Sequence, residues 1–382
     1  MPAIPVTVLG PHQSGKTVYL ASLFHRLALQ RSDTGFFIRL PQDQSKKLNE
    51  VYGEIISPDR WPDPTLLNEV SEWNFTCAIR TAADEVFTPF TINYMDFAGE
   101  HLTHAARTSE QERHVWKRID ESEFLLILLD GAKVKRCFEG DYGLIQELLP
   151  VFNRLEHSRA VMHFVITKWD LVEAAGYSVS QVLEQLLQHP HFQTIYENRL
   201  AANDTRGALR IIPVSALGAG FALPDGDNMV KQGGFPRPTH VEVPLMAVLI
   251  DLFEQNVRRL AAEDRAGHKA AEAEQQNRKL SWVRALQGGL PRVKVMLGAA
   301  SVNQPAMRLL QQEFLGPFMD FVSRKVDDYG QQVERDVFAL RDQVLQAKSE
   351  QEALTGLVAL FEARLAQFEA SHPGSHLGSG GV

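Results

Sequence analysis

The chain has 382 residues, 44% of them hydrophobic and 23% charged, which is the composition of a soluble globular protein with room for one large domain plus an appendage, or for two domains. A net charge of −8 argues against a protein that grips nucleic acid electrostatically, because such binders carry a basic surplus. Two cysteines, Cys77 and Cys137, stand without the CxxC or histidine neighbourhood of a zinc site, and a reducing cytosol fits them.

Ile4–Leu9 reads as a short apolar strand, and Gly10 to Thr17 spells G-P-H-Q-S-G-K-T before the helical Val18–Phe24. A glycine-rich turn between a strand and a helix surrounds nucleotide phosphates with backbone N–H groups. The reading assigns nucleotide binding to Gly10, His12, Gln13, Ser14, Gly15, Lys16, Thr17 and Val18. Lys16 reaches the outer phosphates and Thr17 gives a hydroxyl to Mg²⁺. The first strand starts within five residues of the N-terminus, which leaves no room for a leader, and no apolar run nears the ~20 residues that span a bilayer. A cytoplasmic protein without a transmembrane segment is expected.

From about Gln30 to Asn74 the periodicity is weak and prolines occupy positions 41, 58, 62 and 64, so a long connection with one short strand at Phe36–Leu40 is expected. Phe75–Thr81 and Phe87–Met95 read as an antiparallel pair around Ala82-Ala83-Asp84-Glu85. A helix over about 104–119 follows, then the strand Phe124–Leu129, a helix over about 142–156, and the strand Val161–Thr167. A helix over about 178–189 precedes the strand Leu209–Val214. The Gly/Pro-rich stretch Pro224–Pro244 reads as a loop before a helix near 243. Unalternating apolar strands separated by helices indicate a doubly wound, mostly parallel α/β sheet.

Three further segments carry nucleotide chemistry. Asp96-Phe97-Ala98-Gly99-Glu100 follows a strand: Asp96 can hold a water on Mg²⁺, and Gly99 can offer its N–H to a γ-phosphate because no side chain blocks the approach. Thr167-Lys168-Trp169-Asp170 ends another strand. The Asp170 carboxylate can accept from guanine N1–H and the exocyclic amine, a pattern that adenine lacks, while the Lys168 stem lies along the base. Ser215-Ala216 supplies a turn whose backbone meets the base oxygen.

In this order the motifs resemble the signature of Ras-like, translation-factor-related GTPases over roughly residues 4–260, with Thr167 where Asn is commoner. Within that class the context V-L-G-P-H-Q-S-G-K-T-V-Y-L-A-S-L, the W-P-D-P-T segment at 61–65 and D-F-A-G-E are similar to the bacterial double-GTPase proteins of the second type. That resemblance implies a Mg²⁺-dependent GTP/GDP switch linked to conflict and defence systems. One phosphate loop is present, so a second unit would be another protein or a second copy. The resemblance also implies a switch threonine that closes over Mg²⁺, for which Thr65 is chosen and Thr34 competes. Glu100 stands where Ras-like proteins often carry a water-orienting Gln, and its charge opposes the γ-phosphate, so weak intrinsic hydrolysis is expected. His101 and His104 read as surface residues of the same segment.

Beyond residue 260 a stripe runs through Val333, Val337, Leu340, Val344, Ala347, Gln351, Leu354, Val358, Phe361, Leu365 and Phe368, a coiled-coil or bundle seam of about five heptads. Packing against Leu309, Leu310, Phe314, Phe318, Phe321 and Val322 within the chain is favoured over pairing with a second copy. Leu280–Ala299, with Trp282, Arg284, Arg292 and Lys294, reads as a helix–turn–helix on that bundle. The expected organisation is a GTPase domain over 1–260, a helical region over 261–370 and a disordered tail over 371–382. A hydrolysing switch acting on an unidentified protein effector is the favoured function; a non-hydrolysing nucleotide-gated scaffold is the alternative, and Asp170 disfavours an ATPase.

Overall fold

The computed structural model describes residues 4–31, 34–58, 60–63, 70–97, 110–155, 158, 160–201, 208–226, 228–252 and 331–377. Strands β1 (Ile4–Leu9), β2 (Phe37–Arg39), β3 (Val70–Arg80), β4 (Val86–Phe97), β5 (Phe124–Asp130), β6 (Val161–Thr167) and β7 (Arg210–Pro213) form one seven-stranded sheet in the order β2-β3-β4-β1-β5-β6-β7. β1, β4, β5, β6 and β7 run parallel, while β3 is antiparallel to both β2 and β4. The order reverses at β1, so the loop after β1 opens into the crevice where ligands of such sheets bind.

Every residue of β5 and β6 is buried, as an unalternating apolar strand demands when both faces are covered. One face carries Val6, Val8, Leu126, Val165 and Ile212 against α1 (Lys16–Leu27), α2 (Gln42–Ile56) and the helix α9 over 243–252. The other carries Leu125, Ile127, Phe164 and Ile211 against α3 (Glu110–Glu121), α4 (Gly131–Cys137), α5 (Gly143–Leu155), α6 (Trp169–Ala174), α7 (Val179–Leu187) and α8 (Pro190–Ala201).

Several elements depart from the sequence reading, among them α8, a 12-residue helix past the single helix expected over about 178–189. The supposed loop after β2 contains α2, a 15-residue helix that buries only Leu48, Tyr52 and Ile55. Three apolar residues at helical spacing are a narrow stripe, and the polar remainder hides it. α4 and α6 are one-to-two-turn helices that directly follow strands, too short for a periodic signal. The Pro224–Pro244 loop begins within a hairpin of β8 (Ala222–Asp225) and β9 (Asn228–Lys231).

The C-terminal seam is not one rod. It breaks into α10 (Gln331–Leu345) and α11 (Glu350–Ser371). The Ser349 side chain accepts the Glu352 N–H and Glu352 Oε2 accepts the Lys348 N–H, so a Ser-x-x-Glu start signal lies inside the heptad stripe. Val344, Leu354, Val358, Phe361 and Leu365 are buried as the stripe requires, but in the same core as the sheet, with the Phe361 ring edge-on to Phe36 at 4.9 Å. The tail also departs from expectation. Ile211 N–H donates to Ser375 O and Leu377 N–H donates to Leu209 O, so residues up to Leu377 cover the free edge of β7. The segments 280–299 and 309–322 lie outside the described residues.

A buried ion cluster joins these layers. His163 and Arg210 pair in register on β6 and β7. Arg210 Nη1 donates to Asp251 at 2.6 and 2.7 Å, its Nε donates to Glu369 of α11 at 3.0 Å, and His163 Nε2 lies 2.8 Å from Asp251. Burial by itself would raise the Asp251 carboxyl, but Arg210 and His163 outweigh it and hold the group below its ordinary value. Its contribution is therefore present above the ordinary carboxylate range and is lost as pH falls through the depressed pKa. Arg210→Leu leaves two carboxylates buried without their cation, and urea unfolding should show a loss of about 3–5 kcal/mol.

Candidate functional site

Each candidate segment stands at the C-terminal end of a parallel strand, and the register sets them side by side. Val8 pairs with Asp96 across β1 and β4, Asp130 pairs with Thr167 across β5 and β6, and Ile166 pairs with Pro213 just before Ser215.

The loop after β1 is shaped for an anion. Gln13 and Gly15 both take left-handed backbone conformations, with φ of 63° and 84°, between residues of ordinary φ. That alternation turns successive N–H groups to one side, and Gly15 then opens α1, whose N-terminus adds its own positive end. Lys16 is buried and its ammonium donates to the carbonyls of Gly10 at 2.8 Å and Pro11 at 3.1 Å, so the cation sits over the loop. Ser14 Oγ is buried with no hydrogen-bond partner among the described residues. His12 is exposed, and Thr17 and Val18 are half-buried in the first turn of α1.

The loop after β6 locks onto the phosphate loop. Thr167 Oγ1 lies 2.8 Å from Ser14 O, and Lys168 Nζ donates to Gln13 O at 3.2 Å and to Asp130 Oδ2 at 2.7 Å. Asp130 was not singled out from the sequence. It is buried at the end of β5, accepts the Ala132 N–H through its other oxygen, and so starts α4 while it holds Lys168. The strand-ending Leu129-Asp130-Gly131 was its signal. Gly131 packs so closely that a Cβ there would stand 2.3 Å from Thr167 O and 2.7 Å from Lys168 O.

Asp170 is half-buried in the first turn of α6, and the Ser215 hydroxyl donates to its Oδ1 at 2.5 Å while accepting the Gly218 N–H at 2.9 Å. Burial raises the Asp170 carboxyl above its ordinary value against that hydrogen bond. The Ser215 hydroxyl, a backbone N–H and the Lys168 charge favour the carboxylate, but burial outweighs them. The Ser215-Ala216 turn is held from behind, where Ser215 and Thr239 exchange main-chain hydrogen bonds at 3.1 and 2.8 Å.

Asp96 is the penultimate residue of β4, paired with Val8 just before the phosphate loop. Thr65, Gly99, Glu100, His101 and His104 lie outside the described residues. Thr34 is buried, donates to Phe36 O at 3.1 Å, and precedes β2 at the level of Ala78, the opposite end of the sheet from the phosphate loop. It is not at the site.

A family model described as Double-GTPase 2 matches residues 4–208, from the first residue of β1 to just before β7. The chain belongs to the Double-GTPase 2 family. GTP binding and hydrolysis are thereby its activity, and the sheet is that of a P-loop GTPase. Similar solved structures include the signal recognition particle receptor SRb-GTP/SRX complex from Chaetomium thermophilum, 17% identical over 58% of this chain and 94% of that one, TM-score 0.33. The G domain of the T. maritima FeoB iron transporter is 12% identical over 56% of this chain and 89% of its own, TM-score 0.26. The elongation factor SelB from Methanococcus maripaludis is 14% identical over 56% of this chain, which spans 30% of that chain, TM-score 0.26. No curated protein matches. Among the described residues of this double-GTPase chain no helix is long and apolar enough to cross a membrane.

The close approach at Gly131 gives a direct test of the Lys168 seat. Gly131→Ala should push the Thr167–Lys168 carbonyls away and weaken GTP binding about tenfold while costing about 1–3 kcal/mol of stability. Calorimetry and denaturant unfolding on the same preparation separate the two effects.

Proposed function

We propose that the chain is a Mg²⁺-dependent GTP switch whose nucleotide state passes through α10 and α11 to a protein partner. The observation that carries this reading is the Lys168 ammonium, which joins the phosphate loop at Gln13 to the base-reading loop at Asp170 through one side chain braced by Asp130. Phosphate and base are then read by one connected wall.

Hydrolysis is attack of water on the γ-phosphorus with departure of GDP. The N–H groups of the Gln13–Thr17 turn and the Lys16 ammonium face the oxygens on which charge builds. The Thr17 hydroxyl and the Asp96 position flank the same loop, and a hydroxyl with a carboxylate is the hard oxygen donor set that Mg²⁺ takes. When bound there, Mg²⁺ would neutralise charge on the phosphate oxygens. Thr65 as the switch threonine and Gly99 as a γ-phosphate donor belong to this proposal. Glu100, a carboxylate where a neutral amide would serve better, supports a slow intrinsic rate. The partner is an unidentified protein effector, and the family's name, which refers to two units, supports a second GTPase or a second copy of this chain in that role. The family resemblance also supports a setting in bacterial conflict and defence.

Lys16→Ala should lower multiple-turnover, Mg²⁺-dependent phosphate release by about two orders of magnitude, since it removes a charge aimed at the transferring phosphate. Retained turnover in that variant would rule out the phosphate-loop chemistry. Asp170→Asn replaces an acceptor with a group that can donate to the xanthine oxygen, so GTP affinity should fall by about 100-fold or more while XTP affinity rises. Competition binding with the two nucleotides reads this directly.

A further inference from the structure

Lys231 ends β9 and makes more polar contacts than a surface lysine needs. Its ammonium donates to Glu54 O at 2.8 Å, to Ser57 O at 2.6 Å and to Arg60 O, three carbonyls at and just past the C-terminus of α2. It also stands 4.5 Å above the Trp61 ring. Trp61 in turn donates through Nε1 to Met229 O at 2.6 Å, and its ring meets Phe221 edge-on at 6.4 Å. A cation at a helix C-terminus is favourable by itself, but here the chain past the helix also bends round the ammonium and closes on an aromatic face.

The two ends of this clamp belong to the two sides of the nucleotide site. The β8–β9 hairpin is an extension of the base-reading turn: Ser215 Oγ takes the Gly218 N–H, and Arg237 N–H returns to Leu217 O, so the hairpin leaves and re-enters at that turn. The clamped Ser57, Arg60 and Trp61 lie between α2 and β3 in the chain, and β3 enters the sheet with Val70 against Phe97 and Ser71 against Asp96, at the end of the strand that carries the Mg²⁺ candidate.

We propose that Lys231 and Trp61 are positioning residues that strap the α2–β3 connection to the base-reading turn, so that hydrolysis depends on a contact remote from both phosphate and base. The strap rests on the GTPase reading above and touches no nucleotide itself. It should therefore act on turnover and on the preference for triphosphate over diphosphate, and leave GDP affinity alone.

The test uses the full-length chain carrying Lys231→Met, Lys231→Arg or Trp61→Phe. Steady-state GTP hydrolysis, calorimetric affinity for GDP and for a non-hydrolysable GTP analogue, and thermal melting are measured on each. Lys231→Met should lower kcat about tenfold with GDP affinity within about twofold of wild type, and Lys231→Arg should restore most of it, because a guanidinium can donate to the same carbonyls. An unchanged kcat in Lys231→Met overturns the strap, as does an equal loss of GDP and triphosphate affinity, which would make the clamp a folding element only. If wild type itself shows no turnover that Lys16→Ala abolishes, the GTPase reading falls separately. The strap is then judged by the ratio of analogue to GDP affinity, which should drop about tenfold in Lys231→Met and stay at the wild-type value if the strap is wrong.

Discussion

The Lys168 ammonium is the interaction on which the arrangement of the site depends. Its flanking residue, Thr167, ends β6, its Nζ reaches Gln13 O in the loop after β1, and its counter-ion Asp130 ends β5. Three strands therefore end in one polar knot, and each partner is fixed by something else: Asp130 by the start of α4, Thr167 by the Ser14 carbonyl, Lys168 by its own left-handed backbone at φ 51°. A left-handed lysine costs conformational energy, of order 1–3 kcal/mol, that the surrounding contacts must offset. In return, the turn aims Asp170 into the site without a further residue.

The buried Arg210, Asp251, Glu369 and His163 cluster has a different role. Desolvating such groups consumes most of what their attraction returns, so it adds little net stability over an apolar packing of the same volume. What it does supply is uniqueness. Arg210 has one place where two carboxylates from different helices converge, and that fixes α9 and α11 in one register against β6 and β7. Apolar faces such as Leu357, Phe361 and Leu365 could slide past the sheet at modest cost; an arginine between two buried carboxylates could not.

Much of this was legible in the sequence, and the gaps have physical causes. β5 and β6 were readable because burial on both faces leaves runs of apolar residues with no alternation, and the phosphate loop was readable because its chemistry needs fixed residue types at fixed spacing. Asp170 and Ser215 were named in advance, but the hydroxyl that ties one to the other was not, since 45 positions of sequence separate them. α2 escaped because the α1 side of the sheet asks only three buried residues of it, Leu48, Tyr52 and Ile55. The seam was readable only in part. A heptad stripe records that one face is buried and not all that covers it: α10 and α11 pack on each other, with Gly356 against Val344, and the same helices also complete the sheet's core.

The position of α9 shows how a site at one edge can be felt at the other. It begins just past Thr239 and His240, where Thr239 is hydrogen-bonded to Ser215, and it carries Asp251 of the buried cluster. His240 is held at φ 59° with its ring 5.1 Å from Phe368 and 4.7 Å from His372, at the C-terminal end of α11. The Ser215 turn is thus tied to α11 along two routes: through Thr239 to its neighbour His240, and through α9 to Arg210 and Glu369. Close-packed interiors deform by discrete shifts and not by continuous bending. The Ser215 turn and α11 therefore meet within one close-packed core at two places, the His240–Phe368 ring contact and the Arg210 cluster, and both contacts hold α11 against the sheet.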